Sequence, residues 1–262
     1  MKIYCIIATK NRFELFQEVL KSVHVQTKKP NKIFIITDST DDNYEKEIKL
    51  ISKNDIIIKD EYDHNYAGSL NTAINYILKE EYTNKSIFNI NNIYLAFLDD
   101  DDTWRENYLE ICEQYLYDFP DFVVSGLFRV DDKNKEGQKL KAFKELSIEN
   151  FLTSNPHIQG SNTFIKLETL LRTGCLDESM NSTIDRDIFT RVMMFNPNYK
   201  MLNEIFVDIN ATNIRPRLTN NKEEKKKSLS YFYSKYGGLM NHEQEMKYFE
   251  RNKLFTDLLP SK

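Results

Sequence analysis

The stretch Ile93–Trp104, IYLAFLDDDDTW, decides how the rest of the chain is read. Six apolar residues run without interruption into four consecutive aspartates, Asp99 to Asp102. An apolar run of this length, followed at once by acids, reads as a buried strand of a parallel sheet. In open α/β sheets, ligands bind beyond the carboxyl ends of the strands, where the loops diverge. The acids therefore stand at the rim of a crevice and not in the core. Alone, their charges repel at roughly a kcal/mol per adjacent pair even in well-screened water. A divalent cation removes that cost: carboxylates supply one or two hard oxygen ligands, and substrate phosphates and water supply the rest.

Outward from this stretch, short apolar runs alternate with segments of helical period, the pattern of β-α-β units. Strands are predicted at Ile3–Ala8, Lys32–Thr37, Asp55–Lys59, Ile93–Leu98 and Phe122–Val130. Amphipathic helices are predicted over residues 12–26, 41–53 and 67–82, and a further one after Trp104 that stops at Pro120. Residues 131–139 read as a polar loop, and SNTFIKL (161–167) as a strand followed by a short helix ending near Gly174. A helix is predicted to start at Thr183 as N-cap, with Ile184, Ile188 and Val192 on one face. Residues 199–209 read as a closing strand or hairpin, and two helices separated by Gly237 and Gly238 make up the tail.

Composition narrows the function. A chain of 262 residues with 40% apolar content can build one large α/β domain. Net charge is −4 with both signs spread along the chain, which argues against nucleic acid as a partner. Cys5, Cys112 and Cys175 are odd in number, far apart and set in apolar surroundings, so free thiols in a reducing compartment are expected. The opening apolar stretch is too short for a secretory leader, and no window approaches the ~18 apolar residues of a membrane span. A cytoplasmic protein is expected. The basic, aromatic tail is compatible with peripheral attachment to the inner face of the membrane, with pairing of two copies through the C-terminal helices, or with packing on the main domain.

AFLDDDDTW resembles the Asp-X-Asp region of the GT-A glycosyltransferases, in particular family 2, in which an apolar strand runs into Asp-X-Asp-Asp-X-Trp. Three further segments carry the same resemblance in the same order. Residues 4–42 resemble that family's opening unit: a strand ending in Thr-X-Asn-Arg, a helix ending in Ser-Val-X-X-Gln, and a second strand ending in an Asp-containing turn. AGSLNTAIN (67–75) is similar to its Gly-X-X-X-Asn-X-Gly-Ile segment, with Ala73 at the second glycine. Residues 160–192 resemble its acceptor half, with an acid-rich helix start and an arginine six residues on.

The resemblance implies a GT-A fold, Rossmann-like with a mostly parallel central sheet and a short helical C-terminal extension. The catalytic domain would span 1–219, with the nucleotide-sugar half over 1–103, the acceptor half over 104–219 and the extension over 220–262. It implies a nucleotide-sugar donor (a UDP-sugar), Mn²⁺ or Mg²⁺, inversion at the anomeric carbon, and a glycan, lipid-linked or protein-linked acceptor. Asp38 would contact the nucleotide base, with Thr9, Asn11 and Arg12 near it and Asn71 close to the nucleotide or its ribose. Asp99 would face the ribose or the metal, Asp100 the nucleotide sugar, and Asp101 the metal directly. The family's catalytic acid falls on Asp185, where Ile184 replaces the preceding glutamate and Asp187 is a near rival. The family's loop histidine after the last strand is missing, and Arg215 and Arg217, whose guanidinium forks suit phosphate oxygens, stand in its place.

The chemistry of sugar transfer asks for the same two acid sites independently. A diphosphate leaves, and the acceptor hydroxyl needs a base on the opposite face of the sugar. Two alternatives stand beside this reading: a sugar-phosphate nucleotidyltransferase, against which the glycine-free ATKNR turn counts, and a non-catalytic nucleotide- or carbohydrate-binding module on the same fold.

Overall fold

The computed structural model describes residues 1–38, 41–60, 65–83, 90–141, 144–212 and 221–253. Nine strands are found among them: β1 (Lys2–Thr9), β2 (Lys32–Thr37), β3 (Ile56–Lys59), β4 (Ile93–Asp99), β5 (Asp102–Trp104), β6 (Phe122–Asp131), β7 (Gln138–Leu140), β8 (Thr163–Lys166) and β9 (Tyr199–Ala211). They form one sheet in the order β3-β2-β1-β4-β8-β6-β9-β5, with β7 added to β6. The first four of that order are parallel, β8 lies antiparallel between β4 and β6, and β5 is antiparallel to β9.

Among the described residues nine α-helices cover this sheet: α1 (Phe13–His24), α2 (Asp42–Ile51), α3 (Tyr66–Thr83), α4 (Tyr108–Gln114), α5 (Ile148–Thr153), α6 (Leu167–Arg172), α7 (Ile184–Met193), α8 (Lys222–Tyr236) and α9 (His242–Asn252). The strands read as continuous apolar runs because both faces are covered. Tyr4, Ile6, Ile93, Leu95 and Phe97 pack with α3 and α5 to α9, whereas Ile3, Cys5, Ile7, Tyr94, Ala96 and Leu98 pack with α1, α2 and α4. Each isoleucine, leucine or phenylalanine among them contributes about 1.5–3 kcal/mol on leaving water, before entropy is counted.

The predicted strands and the helices over α1, α2 and α3 lie within a few residues of those observed. Residues 105–119 do not form one helix. α4 stops at Gln114, a 3-10 turn follows, and Phe119 turns left-handed (φ 48°) before Pro120, whose ring disfavours a right-handed helical residue ahead of it. Residues 199–211 form a single strand, not a hairpin. Its pairing with β6 shifts register around Gly126, where a Cβ would come within 2.8 Å of Ile205 Cδ1 and 2.9 Å of the Glu204 carbonyl. α5, capped by a reciprocal Ser147–Asn150 box, is an addition to the predicted elements.

The C-terminal helices are part of the main core. Phe232, Tyr236 and Tyr248 are buried in it, and the Arg186 guanidinium of α7 lies 4.5 Å from the Phe232 ring centroid and 5.5 Å from that of Tyr248. Much of the tail's aromatic surface is thus used within the chain, and among the described aromatic residues of α8 and α9 Tyr231 is left exposed. Among the described residues no helix is long and apolar enough to cross a membrane.

Candidate active site

The carboxyl ends of β1 and β4 open onto a cleft of about 150 Å³. Arg12, Tyr66, Asp99 to Asp101 and Asn181 to Asp185 line it. A second cavity of about 320 Å³ shares Arg12, Tyr66 and Asp100 and extends past Thr9, Lys10 and Asp38 to the first turn of α8.

The four aspartates divide by direction. Asp100 is buried, accepts from Thr9 Oγ1 (3.1 Å) and pairs with Arg12 Nη1 (2.9 Å). Burial pushes its carboxyl up and the guanidinium pulls it back. Asp99 accepts from the Tyr66 hydroxyl, Asp101 lies 3.7 Å from Arg12 Nη1, and Asp102 accepts from Ser161 Oγ (2.7 Å). Asp99, Asp101 and Asp102 each offer a carboxylate oxygen, all within 4.8 Å of one another. Three hard oxygens so close, without nitrogen or sulfur ligands, fit Mg²⁺ or Mn²⁺. Asp102 is an addition to the predicted pair of Asp99 and Asp101.

The motif residues around the acids turn out to hold this geometry. Trp104 is buried; its indole Nε1 donates to the Ser161 carbonyl (2.8 Å) and its backbone N–H to Ser22 Oγ (3.2 Å). Gln26 donates to the Arg105 carbonyl (2.9 Å) and accepts from the Leu109 N–H (3.1 Å). Ser22 and Gln26, four residues apart at the end of α1, therefore fix the chain as it leaves the acidic turn.

Asp185, in the first turn of α7, lines the same cleft. It follows Thr183, a β-branched residue held left-handed (φ 63°), a strained geometry of the kind stored at functional sites. Burial, then the neighbouring Asp99, push its carboxyl up to about 7, against the Gly160 N–H and Lys225. Asp187 is committed elsewhere. It is buried and accepts from Lys235 (2.6 Å), Tyr236 (2.7 Å) and Arg191 Nε (3.0 Å), while Arg191 also donates to the Thr173 and Cys175 carbonyls behind α6.

Thr9, Arg12, Asp38, Asp99, Asp100, Asp101 and Asp185 line one or both cavities. Asp38 is also paired with Lys10 (2.5 Å). Asn11 is an exposed left-handed turn residue (φ 53°) and lines neither. Asn71 does not line them either. Its side chain donates to the Leu176 carbonyl (2.9 Å) and Glu178 Oε1 (2.6 Å) and accepts from the Leu176 N–H (3.2 Å), tying α3 to the segment that leads into Asp185. Arg215 and Arg217 lie outside the described residues. Sequence reasoning missed Tyr66, Ser161, Asn181, Ser182 and Glu224; none carries a local pattern that marks it.

With this strand order, and with an acidic turn closing β4 beneath a nucleotide-sized cavity, the fold is that of the GT-A glycosyltransferases. The model of the family described as Glycosyl transferase family 2 matches residues 4–191. The chain belongs to that family. No curated protein sequence matches it significantly. Among solved structures, S. aureus TarS 1–349 in complex with UDP-GlcNAc superposes with a TM-score of 0.67 at 16% identity, over 98% of this chain and 74% of that one. A structure of S. aureus TarS gives 0.64 at 16% identity over 98% of this chain but 44% of that one, so the chain spans less than half its length. The mannosyltransferase PcManGT from Pyrobaculum calidifontis, in complex with GDP-Man and Mn²⁺, gives 0.60 at 14% identity over 98% and 76%. At such identities the likeness establishes the fold alone.

Proposed function

We propose that the chain transfers a sugar from a nucleoside-diphosphate donor, a UDP-sugar, to a hydroxyl of a glycan, lipid-linked or protein-linked acceptor, with inversion at the anomeric carbon. The observation that carries this reading is that Asp185 and the Asp99–Asp101 acids, far apart in the chain, line one cleft. Asp38, Thr9 and Arg12 would receive the nucleotide in the adjoining cavity. Asp99, Asp101 and Asp102 would hold Mn²⁺ or Mg²⁺, which when bound supplies positive charge to a leaving diphosphate. Asp185 takes the proton of the acceptor hydroxyl as its oxygen bonds to the anomeric carbon; the bond from that carbon to the phosphate oxygen breaks, and its electron pair leaves with the diphosphate. A carboxylate lifted to about 7 is a stronger base than an exposed one and still ionises near neutrality.

The test is a panel of nucleotide sugars with Mn²⁺, followed by release of nucleoside diphosphate. Release from one donor, lost in Asp185→Asn, supports transfer. Pyrophosphate formed from a sugar phosphate and a nucleoside triphosphate would replace it with a nucleotidyltransferase, and binding without turnover, acceptors included, with a non-catalytic module.

A further inference from the structure

The three acids of the candidate metal cluster are met by three different side chains. Ser161 Oγ donates to Asp102 Oδ2 (2.7 Å) and accepts from the Asp99 backbone N–H (3.1 Å), and Arg12 Nη1 lies 3.7 Å from Asp101 Oδ2. The Asp99 side chain is met by Tyr66, whose hydroxyl donates to Oδ1. Near neutral pH the phenol carries its proton and the carboxylate has none, so this bond has one direction.

Local structure fixes the donor in place. Tyr66 is the first residue of α3, and Asn65 before it accepts from the Gly68 N–H (2.8 Å) and donates to the Glu178 carbonyl (2.7 Å). The start of the helix is thereby tied to the segment that runs on to Asp185. Tyr66 lines the cleft, the adjoining cavity and a third, apolar pocket shared with Leu70, Phe97 and Gly160. A Cβ at Gly160 would stand 3.4 Å from the Tyr66 hydroxyl oxygen and 3.8 Å from Asp99 Oδ1. The Gly160 main chain thus backs the bonded pair at close range.

Such a bond bears directly on cation binding. An aspartate carboxylate turns easily about its terminal torsion, and the ligand oxygen of Asp99 lies within 4.8 Å of those of two like charges that repel it. Held at Oδ1, the carboxylate no longer turns, and the donated proton offsets part of its charge while lone pairs remain for a metal. Outer hydrogen bonds of this kind carry roughly 10- to 100-fold in metal affinity.

We propose that Tyr66 is a positioning residue for the cation: by holding the Asp99 carboxylate it raises the affinity of the Asp99, Asp101 and Asp102 cluster for Mn²⁺ or Mg²⁺. Through the cation it sets how strongly nucleotide binding depends on metal. This rests on the reading of those acids as the metal site.

Calorimetry on the full chain tests it. UDP is titrated into wild type, Tyr66→Phe and the exposed control Tyr117→Phe over a series of Mn²⁺ concentrations, after circular dichroism in EDTA has confirmed that each is folded. Phenylalanine keeps the ring and removes the hydroxyl. The Mn²⁺ concentration that brings UDP affinity halfway to its maximum should rise by about 10-fold or more in Tyr66→Phe, and the affinity at saturating Mn²⁺ should return to that of wild type. Tyr117→Phe should follow wild type throughout. An unchanged Mn²⁺ dependence in Tyr66→Phe overturns the proposal alone. So does a UDP deficit that persists at saturating Mn²⁺, which would make Tyr66 a direct nucleotide contact. UDP binding to wild type that ignores Mn²⁺ would overturn it together with the metal reading, and no UDP binding at all would sink the donor reading as well.

Discussion

Replacing Asp185 by asparagine is predicted to slow transfer and, in the metal-free protein above neutral pH, to raise stability. The ordinary carboxyl value is 3.8 and the folded value about 7, so ionising Asp185 costs about 4 kcal/mol more in the folded chain than in the unfolded one. Because the folded value is the higher, the associated stability is present below 3.8, falls as pH rises, and is fully lost above about 7. Asparagine keeps the shape, can still accept from the Gly160 N–H, and has no charge to bury. Between about pH 5 and about pH 8 the variant should therefore gain about 3 kcal/mol on wild type, on the order of 5–10 °C in Tm. Thermal unfolding by circular dichroism in EDTA at the two pH values measures this, and added Mn²⁺ should narrow the gap by offsetting the Asp99 charge. Turnover should fall by roughly 10²–10⁴ at either pH, as expected for loss of a general base. A variant no more stable than wild type at the higher pH, or a gap that does not change with pH, would refute the argument that Asp185 is held protonated by burial and by Asp99.

Three other outcomes are expected. Asp101→Ala should abolish Mn²⁺-dependent nucleotide binding in calorimetry, with Tm of the metal-free protein little changed. Phe232→Ala removes a fully buried ring that also carries the Arg186 contact, so chemical denaturation should show a loss of about 3–5 kcal/mol, and limited proteolysis should cut first in α8 or α9. Arg215→Ala or Arg217→Ala should raise the donor KM if that segment reaches the diphosphate; unchanged KM and kcat in both would leave it without a phosphate role.

Much of the candidate site was legible because its residues are local to strand ends. Thr9 ends β1 and Arg12 follows it, Asp38 follows β2, and Asp99 to Asp101 close β4; in a parallel sheet those ends converge whatever the helices do. Asp185 could be named from its helix start, but its separation from Asp187 could not. Both lie in the first turn of α7 with Arg191 one turn on, and sequence spacing is silent on which one Lys235 and Tyr236 will claim. Asn71 shows the opposite limit. A motif position marked it for the nucleotide, whereas its side chain ties α3 to Leu176 and Glu178.

Apolar period and turn chemistry act over a few residues. They were enough to set the strands of the N-terminal half, the helices between them, and an acidic turn at the mouth of the sheet. Pairing over long separations cannot be read that way. The antiparallel insertion of β8 brings Ser161 beneath Asp102, the packing of α3 on the 176–178 segment fixes the chain that leads into Asp185, and the docking of α8 holds Asn181 and Ser182 through Glu224 and Ser228. Each is settled by which buried surfaces fit together once the chain is compact, a property of the whole packed core and not of any window along the sequence.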